Sequence, residues 1–267
     1  MVKGNGDRRR RVRQQLLSHG EIEFSALAQA YGVSEMTIRR DIDELEAEGL
    51  VRKVIGGAIA LGKIAEPAFE ARAHQDVESK RHIAELAVEE LSQHETLILD
   101  SGSTALAVAR AVRGRGLCLT VVTPSLLAAA ELVQDEGTTV LLTGGFLRPG
   151  ELSLIGMEAV ESISRFNCDT FIMGVSGVHP HRGFTDYHRE EGAVKRTAVE
   201  AADRLMVLAD HSKMGRAHLT NIAPLGAADI LITDESADEA VPVAAAAAGV
   251  RVLYAPLQID GRSEVSL

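Results

Sequence analysis

Small hydroxyl-bearing residues and a glycine follow an apolar, strand-like run at Thr96–Leu99 and open a predicted helix. A loop of this kind offers an anion free backbone N–H groups, hydroxyl donors and the positive end of a helix, and it has no bulky side chain to keep a phosphate away. A phosphate site is one interpretation, and a plain Ser/Thr helix cap is the other. The candidate residues are Asp100, Ser101, Gly102, Ser103 and Thr104.

Three further segments could complete an anion site, because each follows a strand-like run or opens a helix. A lysine at a strand end, such as Lys213, can neutralise a phosphate. Glu191 and Lys195 are four residues apart at a helix start, and this local pattern favours a surface ion pair over a pair inside a site. The candidate residues of these segments are Gly144, Gly145, Glu191, Lys195, Asp210 and Lys213.

Two adjacent arginines, Arg39 and Arg40, lie in the first turns of a predicted helix over residues 34–49. Apolar residues recur at i, i+4 and i+7, which buries one side of this helix, and the opposite side carries Met36 and Arg40. Paired arginines on a short capped helix suit the DNA major groove. Because acidic residues surround them, a solvated face with internal salt bridges is the alternative.

The segments around this helix decide between the two interpretations. A first predicted helix ends near residue 17, a second spans residues 25–31, and a turn at Gly32 leads into Ser34, which is helix-turn-helix spacing. Two short predicted strands joined at Gly56-Gly57 follow, as in a wing. The predicted DNA contacts are Ser34, Met36, Thr37, Arg39, Arg40, Arg52 and Lys53.

A basic arm precedes the first predicted helix. Its residues are Arg8, Arg9, Arg10 and Arg11, and they could reach phosphates or a minor groove. A solvated tail explains the same composition equally well. We therefore expect the arm to contribute to affinity for DNA and not to specificity.

Composition and charge exclude several classes of protein. The chain has 267 residues, 46% of them hydrophobic, and neither a membrane-spanning run nor a signal peptide is expected, so we predict a cytoplasmic protein. Cys118 and Cys168 lack ligand spacing, and we expect free thiols, no metal and no cofactor. Residues 1–60 hold 10 Lys+Arg and 9 Asp+Glu and so have a net charge of +1. Because the whole chain has a net charge of −10, residues 61–267 have a net charge of −11.

The order of predicted elements indicates two domains. Residues 1–60 form the winged helix-turn-helix domain, residues 61–75 read as a linker, and residues 76–267 alternate short apolar strands with amphipathic helices. Such alternation is typical of a mainly parallel α/β sheet covered on both faces, whose ligands bind outside the carboxyl ends of the strands. Strands are predicted at residues 96–99, 118–122, 139–142, 170–175, 205–208, 230–232 and 250–253.

Both halves of the chain resemble the DeoR family of bacterial transcriptional regulators. Two positions depart from the family pattern: Ile55 replaces a usual His before the wing glycines, and Pro124 replaces a usual Asn. Contacts made by those two side chains cannot be carried over. The resemblance rests on residues 32–41, 45–46, 56–57, 99–104, 121–123, 143–145 and 209–213 and on the spacing of Glu191 and Lys195.

The resemblance implies a repressor that binds operator DNA and carries a sensor domain similar in fold to ribose-5-phosphate isomerase. In that family the sensor typically binds a phosphorylated sugar or polyol that releases the protein from DNA. The loop from Asp100 to Thr104 would hold the phosphate, Gly144 and Gly145 would add a backbone contact, and Lys195 and Lys213 would be counter-charges. Two-fold operators require at least a dimer, so a homo-oligomer is expected.

An enzyme is the main alternative, namely a sugar-phosphate isomerase with an attached DNA-binding module. Isomerisation needs a general base, normally a carboxylate. The position expected for that glutamate holds Lys195, and residues 174–182 lack an Asp-rich loop, so we expect no catalysis. The histidines His179, His181 and His188 are expected to be incidental. An architectural DNA-binding protein without an effector is a third possibility.

Overall fold

The computed structural model describes residues 8–9, 11–13, 15–16, 21–47, 51–54, 56–60, 66–237 and 239–256. Its packing divides the chain into two compact units, Met1–Pro67 and Ala68–Leu267. The linker predicted at residues 61–75 is wrong over part of its length, because Phe69–His74 is a helix of the second unit. Six residues are too few to show a helical period, so the sequence pattern did not mark this helix.

The first unit contains a helix-turn-helix followed by a wing. Residues 8–9, 11–13 and 15–16 are helical, and the later elements are strand β1 (Glu21–Glu23), helix α1 (Phe24–Tyr31), helix α2 (Glu35–Ala47) and strands β2 (Val51–Val54) and β3 (Gly57–Ala60). The three strands form an antiparallel sheet in the order β1-β3-β2. Strand β1 was not predicted, since three residues are too short for a pattern. Arg10, Gly49 and Ile55 lie outside the described residues.

Two features of the sequence determine this unit. Ile38, Ile42 and Leu45 are fully or almost fully buried in its core, as their helical spacing predicts. A Cβ on Gly57 would lie 2.1 Å from the carbonyl oxygen of Ile22, so only glycine lets β3 pair with β1.

The second unit is built on a seven-stranded parallel sheet, and all seven predicted strands are confirmed. The strands are β4 (Thr96–Leu99), β5 (Thr120–Thr123), β6 (Thr139–Leu142), β9 (Cys168–Gly174), β12 (Ala202–Leu208), β14 (Ile230–Asp234) and β15 (Arg251–Ala255). Their order is β15-β14-β12-β9-β4-β5-β6, and every neighbouring pair is parallel. Short strands outside this sheet are β7 (Phe146–Arg148), β8 (Ser153–Ile155), β10 (Gly177–His179), β11 (Gly183–Asp186) and β13 (Thr220–Ala223).

Helices cover both faces of the sheet, as the α/β prediction requires. Successive strand residues pack into different clusters: Leu97 and Leu99 lie in one, and Ile98 lies in the other. The helices are α3 (Phe69–His74), α4 (Val77–Glu89), α5 (Ser103–Val112), α6 (Leu126–Leu132), α7 (Met157–Ile163), α8 (Arg189–Glu200) and α9 (Ala240–Ala247). Side chains of α4, α5 and α6 belong to the first cluster, and those of α7, α8 and α9 to the second.

Candidate functional site

The loop after β4 turns directly into helix α5. Gly102 has a φ of 99°, a value that favours glycine, and its carbonyl accepts a hydrogen bond from the Leu106 N–H at 3.0 Å. The first backbone N–H groups of a helix have no partner within the helix. In the part of the chain that the structure describes, the hydroxyls of Ser101, Ser103 and Thr104 make no hydrogen bond either. The loop therefore presents several free donors at the carboxyl edge of the sheet.

Asp100 and Lys195 belong to a buried cluster of charges. Lys195 Nζ lies 3.1 Å from Asp100 Oδ2 and 2.6 Å from Asp186 Oδ2, and it donates to the Gly174 carbonyl oxygen at 2.8 Å. Three acceptors satisfy the three N–H groups of an ammonium. The predicted role of Lys195 as a counter-charge for phosphate is therefore corrected, because two carboxylates already balance its charge.

Burial and attraction oppose each other in this cluster. Burial raises the pKa of Asp100 to about 6, although Lys195 favours the ionised form. Burial also opposes the charges of Asp186 and Lys195, but their mutual attraction outweighs it, so the pKa of Asp186 is lowered and the pKa of Lys195 is raised. The Ser176 hydroxyl donates to Asp186 Oδ1 at 2.7 Å and supports its ionised form.

Glu191 and Lys195 do not form the surface pair that their spacing favours. Both are buried, and Glu191 contacts the β7–β8 hairpin instead: its Oε2 lies 2.8 Å from a guanidinium nitrogen of Arg148, and its Oε1 accepts from the Ser153 hydroxyl at 2.7 Å. The surface interpretation is wrong because β11 brings Asp186 to Lys195, and no local pattern reports such a tertiary contact.

The turn after β12 supplies a second carboxylate and a lysine at the same edge. Asp210 is buried, and its Oδ1 accepts from the Ser212 N–H at 3.0 Å, which caps the short 3-10 helix His211–Lys213. Within the described residues, Asp210 Oδ2 is buried without a hydrogen-bond partner. Lys213 is half-buried and forms no ion pair in that part of the chain. Lys213 therefore has the spare charge that Lys195 lacks.

Lys80 is a buried cation that was not predicted from the sequence. Its ammonium donates to the carbonyl oxygens of Arg72 and Gln75, each at 2.5 Å. Burial lowers the pKa of Lys80 to about 8. The negative charge of Asp210 opposes this shift, and the positive charge of Lys213 lowers the pKa further. Its position was a usable signal, since Lys80 lies in line with Ile83, Ala84 and Ala87 on the buried side of α4.

A cavity of about 320 Å³ joins Lys80 to the phosphate-loop candidate Ser103. It lies among α3, α4 and α5, and its volume falls at the lower end of the range for small-molecule sites. The remaining lining residues are Ala73, Val77, Arg81, Glu85, Leu106, Ala107, Arg110 and Ala111.

Gly144 and Gly145 follow β6 and lead into the β7–β8 hairpin. A Cβ on Gly145 would lie 2.4 Å from the Ile155 carbonyl oxygen, and its φ is 126°. The glycine is thus required by the close approach of the hairpin strands. A backbone contact of Gly144 and Gly145 with a ligand stays a prediction.

The first unit presents the predicted side of helix α2 to solvent. Ser34 Oγ accepts from the Thr37 N–H at 3.2 Å and caps the helix, and Met36 is 74% exposed. Arg39 is exposed, with its guanidinium 4.6 Å from the centre of the Phe24 ring. Arg40 is exposed and makes no hydrogen bond or ion pair with the described residues. Arg40 is therefore free to meet a base edge.

The other basic candidates pair with acidic residues of the same unit. Arg8 Nε lies 2.6 Å from Asp41 Oδ2, which is buried, and Arg9 pairs with Glu44. These contacts correct the predicted arm, because Arg8 and Arg9 are helical residues tied to α2 and do not form a passive tail. Lys53 pairs with Asp43 and lies 3.3 Å from Glu46. Arg11 is exposed, and the side chain of Arg52 lies outside the described part.

Two family models together match most of the chain. Residues 8–63 match the DeoR-like helix-turn-helix domain, and residues 75–235 match the DeoR C-terminal sensor domain. The chain belongs to the DeoR family. It is therefore a DNA-binding transcriptional regulator, as the resemblance of its motifs implied.

Curated relatives of this DeoR-family regulator match over most of their length. It is 34% identical to the HTH-type transcriptional regulator GlpR of Haloferax volcanii, over 92% of this chain and 96% of that protein. It is 31% identical to the glycerol-3-phosphate regulon repressor of Escherichia coli K12, over 80% and 85%. It is 32% identical to the HTH-type transcriptional repressor GlcR of Bacillus subtilis, over 84% and 86%.

Solved structures give a weaker likeness. Ribose 5-phosphate isomerase A of Neisseria gonorrhoeae aligns over 54% of this DeoR-family chain and 55% of that chain, with 19% identity and a TM-score of 0.36, and a likeness of this size carries no argument about the site. Among the described residues, no helix is both long enough and apolar enough to cross a lipid bilayer.

Proposed function

We propose that this DeoR-family regulator is a repressor that binds a two-fold operator as a homo-oligomer and leaves it when a phosphorylated sugar or polyol occupies the second unit. Relatives named as repressors support the first part, and one of them is named for the glycerol-3-phosphate regulon. The symmetry of such operators supports the second, because a monomer presents one helix-turn-helix to one half-site.

The cavity shared by Ser103 and Lys80 is the observation that carries the effector proposal. Backbone N–H groups at the start of a helix and a lysine ammonium beside the same cavity are suited to bind a phosphate monoester. Lys213 adds a cation without an ion pair in the described residues. In a domain with a net charge of −11, these few cations govern where an anion is captured.

The hydroxyls of a sugar or polyol need a different environment from its phosphate. Ser101 and Thr104 have free hydroxyls, and the buried Asp210 Oδ2 is an acceptor without a hydrogen-bond partner among the described residues. An unpaired buried acceptor favours a ligand that donates a hydrogen bond. These groups favour a ligand that combines one phosphate with several hydroxyls.

A thermal-shift panel tests the proposal directly. The full chain is heated with phosphorylated sugars and polyols, with their unphosphorylated forms and with inorganic phosphate. We expect one phosphorylated compound to raise the melting temperature and to release the protein from operator DNA, while its unphosphorylated form does neither. A panel without any phosphate-dependent shift would contradict the effector proposal and leave operator binding untouched.

Catalysis is a second candidate because the structure corrects one premise of its rejection. The sequence holds Lys195 where a catalytic glutamate is expected and shows no Asp-rich loop, but Asp100 and Asp186 both contact Lys195, and a pKa of about 6 for Asp100 is suitable for a general base. A general base must reach its substrate, however, whereas Asp100 is 2% exposed and its Oδ2 accepts from the Gly174 N–H at 3.0 Å beside Lys195. We therefore propose that the cluster is structural, and an aldose–ketose phosphate isomerase assay should stay at background.

A further inference from the structure

One edge of the seven-stranded sheet is uncharged and apolar. Strand β6 ends the strand order and pairs with β5. Residues 139–147 contain no Asp, Glu, Lys or Arg, although residues 61–267 carry a net charge of −11. Four apolar side chains of β6, of the following hairpin and of the first position of α7 are exposed. They are Leu142 (44%), Phe146 (68%), Leu147 (47%) and Met157 (66%), and together with the outer side of β6 they are called the β6-edge surface.

The two edges of the sheet differ in their protection. Strand β15 begins with Arg251, which pairs with Glu90, and a charged residue at an edge discourages pairing with another strand. Strand β6 has neither a charge nor a proline. The N–H groups of Thr139 and Thr143 bond to the neighbouring segment on the β5 side, so the backbone groups of the alternate residues point outward. In the described part of the chain, no strand pairs with that side.

The Phe146 ring lies against the backbone of Gly156 at the end of the hairpin. A Cβ on Gly156 would lie 3.0 Å from the Phe146 ring, so the ring rests against the backbone of Gly156. Most of the residue nevertheless remains exposed. Several exposed large apolar side chains within a short stretch of chain are typical of protein interfaces.

We propose that the β6-edge surface binds the same surface of a second copy of this chain. The inference rests on the homo-oligomer of the proposed function and adds where its copies meet. Two domains of −11 repel each other, and the repulsion is smallest where the facing surfaces carry no charge. A two-fold axis beside β6 would place two β6 strands antiparallel, and such an isologous contact closes on itself and buries both edges.

This interface would share an element with Glu191, which the sequence analysis predicts to bind the effector. The hairpin strand that carries Phe146 and Leu147 also carries Arg148, and Arg148 contacts Glu191 at 2.8 Å. A ligand that changes the position of Glu191 therefore acts on the strand that meets the second copy.

Sedimentation velocity of the full chain over a range of concentrations tests the interface. We expect Phe146→Glu to raise the dissociation constant of the wild-type oligomer at least about tenfold, because it places like charges opposite each other. Tyr254→Glu is the matched control, since Tyr254 is an aromatic residue 48% exposed on the opposite edge strand, and it should leave the constant unchanged. Circular dichroism confirms folding, and Leu147→Glu replaces Phe146→Glu if the latter does not fold.

A second arm uses cross-linking. Oxidised Leu142→Cys should give a disulfide-linked dimer on a non-reducing gel, and Val243→Cys, at a position 64% exposed on α9, should not. Folded Phe146→Glu and Leu147→Glu proteins that keep the wild-type mass would overturn the interface. A wild-type chain that is monomeric at every concentration would instead contradict the homo-oligomer on which the proposal rests.

Discussion

Three lysines of the second unit differ in the charge they can offer a ligand. Lys195 is surrounded by two carboxylates, whereas Lys213 has no ion pair among the described residues. Lys80 contacts carbonyl oxygens, which carry only partial charges, and burial lowers its pKa. An approaching phosphate would therefore gain little from Lys195 and much from the other two.

The pKa of Lys80 predicts a pH-dependent affinity for the effector. The groups that act on its charge are Asp210, Lys213, Asp76 and Arg72. The cation is present below a pKa of about 8 and is lost above it, so the affinity for a sugar phosphate should fall about tenfold between about pH 7 and pH 9. A phosphate monoester stays a dianion over that range. Isothermal titration at both pH values measures the change.

Lys80→Arg is the matched control for this prediction. Arginine keeps its charge at pH 9, so the affinity of Lys80→Arg should not change with pH, whereas Lys80→Met should be weak at both pH values. Equal pH dependence in wild type and Lys80→Arg would show that another group titrates.

Arg40 is the residue on which specificity for the operator should depend. Arg40→Ala should weaken specific binding by roughly 1–3 kcal/mol if the guanidinium makes a bidentate base contact, and the fold should be retained because Arg40 has no partner in the described residues. Fluorescence anisotropy with operator and scrambled DNA measures the loss. Arg115→Ala is the control, because Arg115 is an exposed arginine of the second unit. Equal selectivity of the two variants would show that this side of α2 is a solvated face and does not contact bases.

Helix α2 owes its position to basic residues as well as to its apolar side. Asp41 is 3% exposed and pairs with Arg8, while Glu44 pairs with Arg9 and Glu46 with Lys53. A buried carboxylate without its partner is unfavourable, so the Arg8 contact supports the fold in a way that exposed pairs do not.

Arg8 and Arg11 should therefore respond differently to substitution. Arg8→Ala should destabilise the first unit by about 1–3 kcal/mol, because it leaves Asp41 without its guanidinium. Arg11 is exposed, so Arg11→Ala should leave stability unchanged. It should reduce the slope of log affinity against log salt concentration by about 1, the value for one phosphate contact. Hydrogen exchange of the α2 amides and salt titrations separate the two effects. Faster exchange in Arg11→Ala than in Arg8→Ala would reverse these assignments.

The two units of the molecule should be coupled only as strongly as the effector distinguishes the bound and released states. A change that blocks the effector without touching the first unit should therefore leave repression intact and abolish release.

Ser103→Asp is such a change, because it places a carboxylate at the start of α5 where we propose that the phosphate lies. We expect Ser103→Asp and Lys213→Ala to bind operator within about twofold of wild type and to ignore the effector. Operator titrations with and without the identified sugar phosphate measure both properties. Ser103→Ala keeps the backbone donors and should still be released. Release of Ser103→Asp at wild-type effector concentrations would place the phosphate elsewhere.

Local sequence patterns were enough to predict the main helices and strands and the sides that they bury. The spacing of Ile38, Ile42 and Leu45 determined which side of α2 is buried, and short apolar runs determined the strands of the parallel sheet. These features depend on local period and on burial, and both can be read along the chain.

The pairing of the buried charges depends instead on how the chain folds. Lys195 pairs with Asp100 and Asp186, which lie 95 and nine residues away in sequence, and Lys80 reaches the cavity of Ser103 from a different helix. The sequence pattern favoured an ion pair between Glu191 and Lys195, because a local pattern reveals only partners that are neighbours on the same helix. The strand order brings strand ends that are distant in sequence to the same carboxyl side of the sheet, so the contacts among their charges depend on topology and not on local period. The same strand order makes β6 an edge strand.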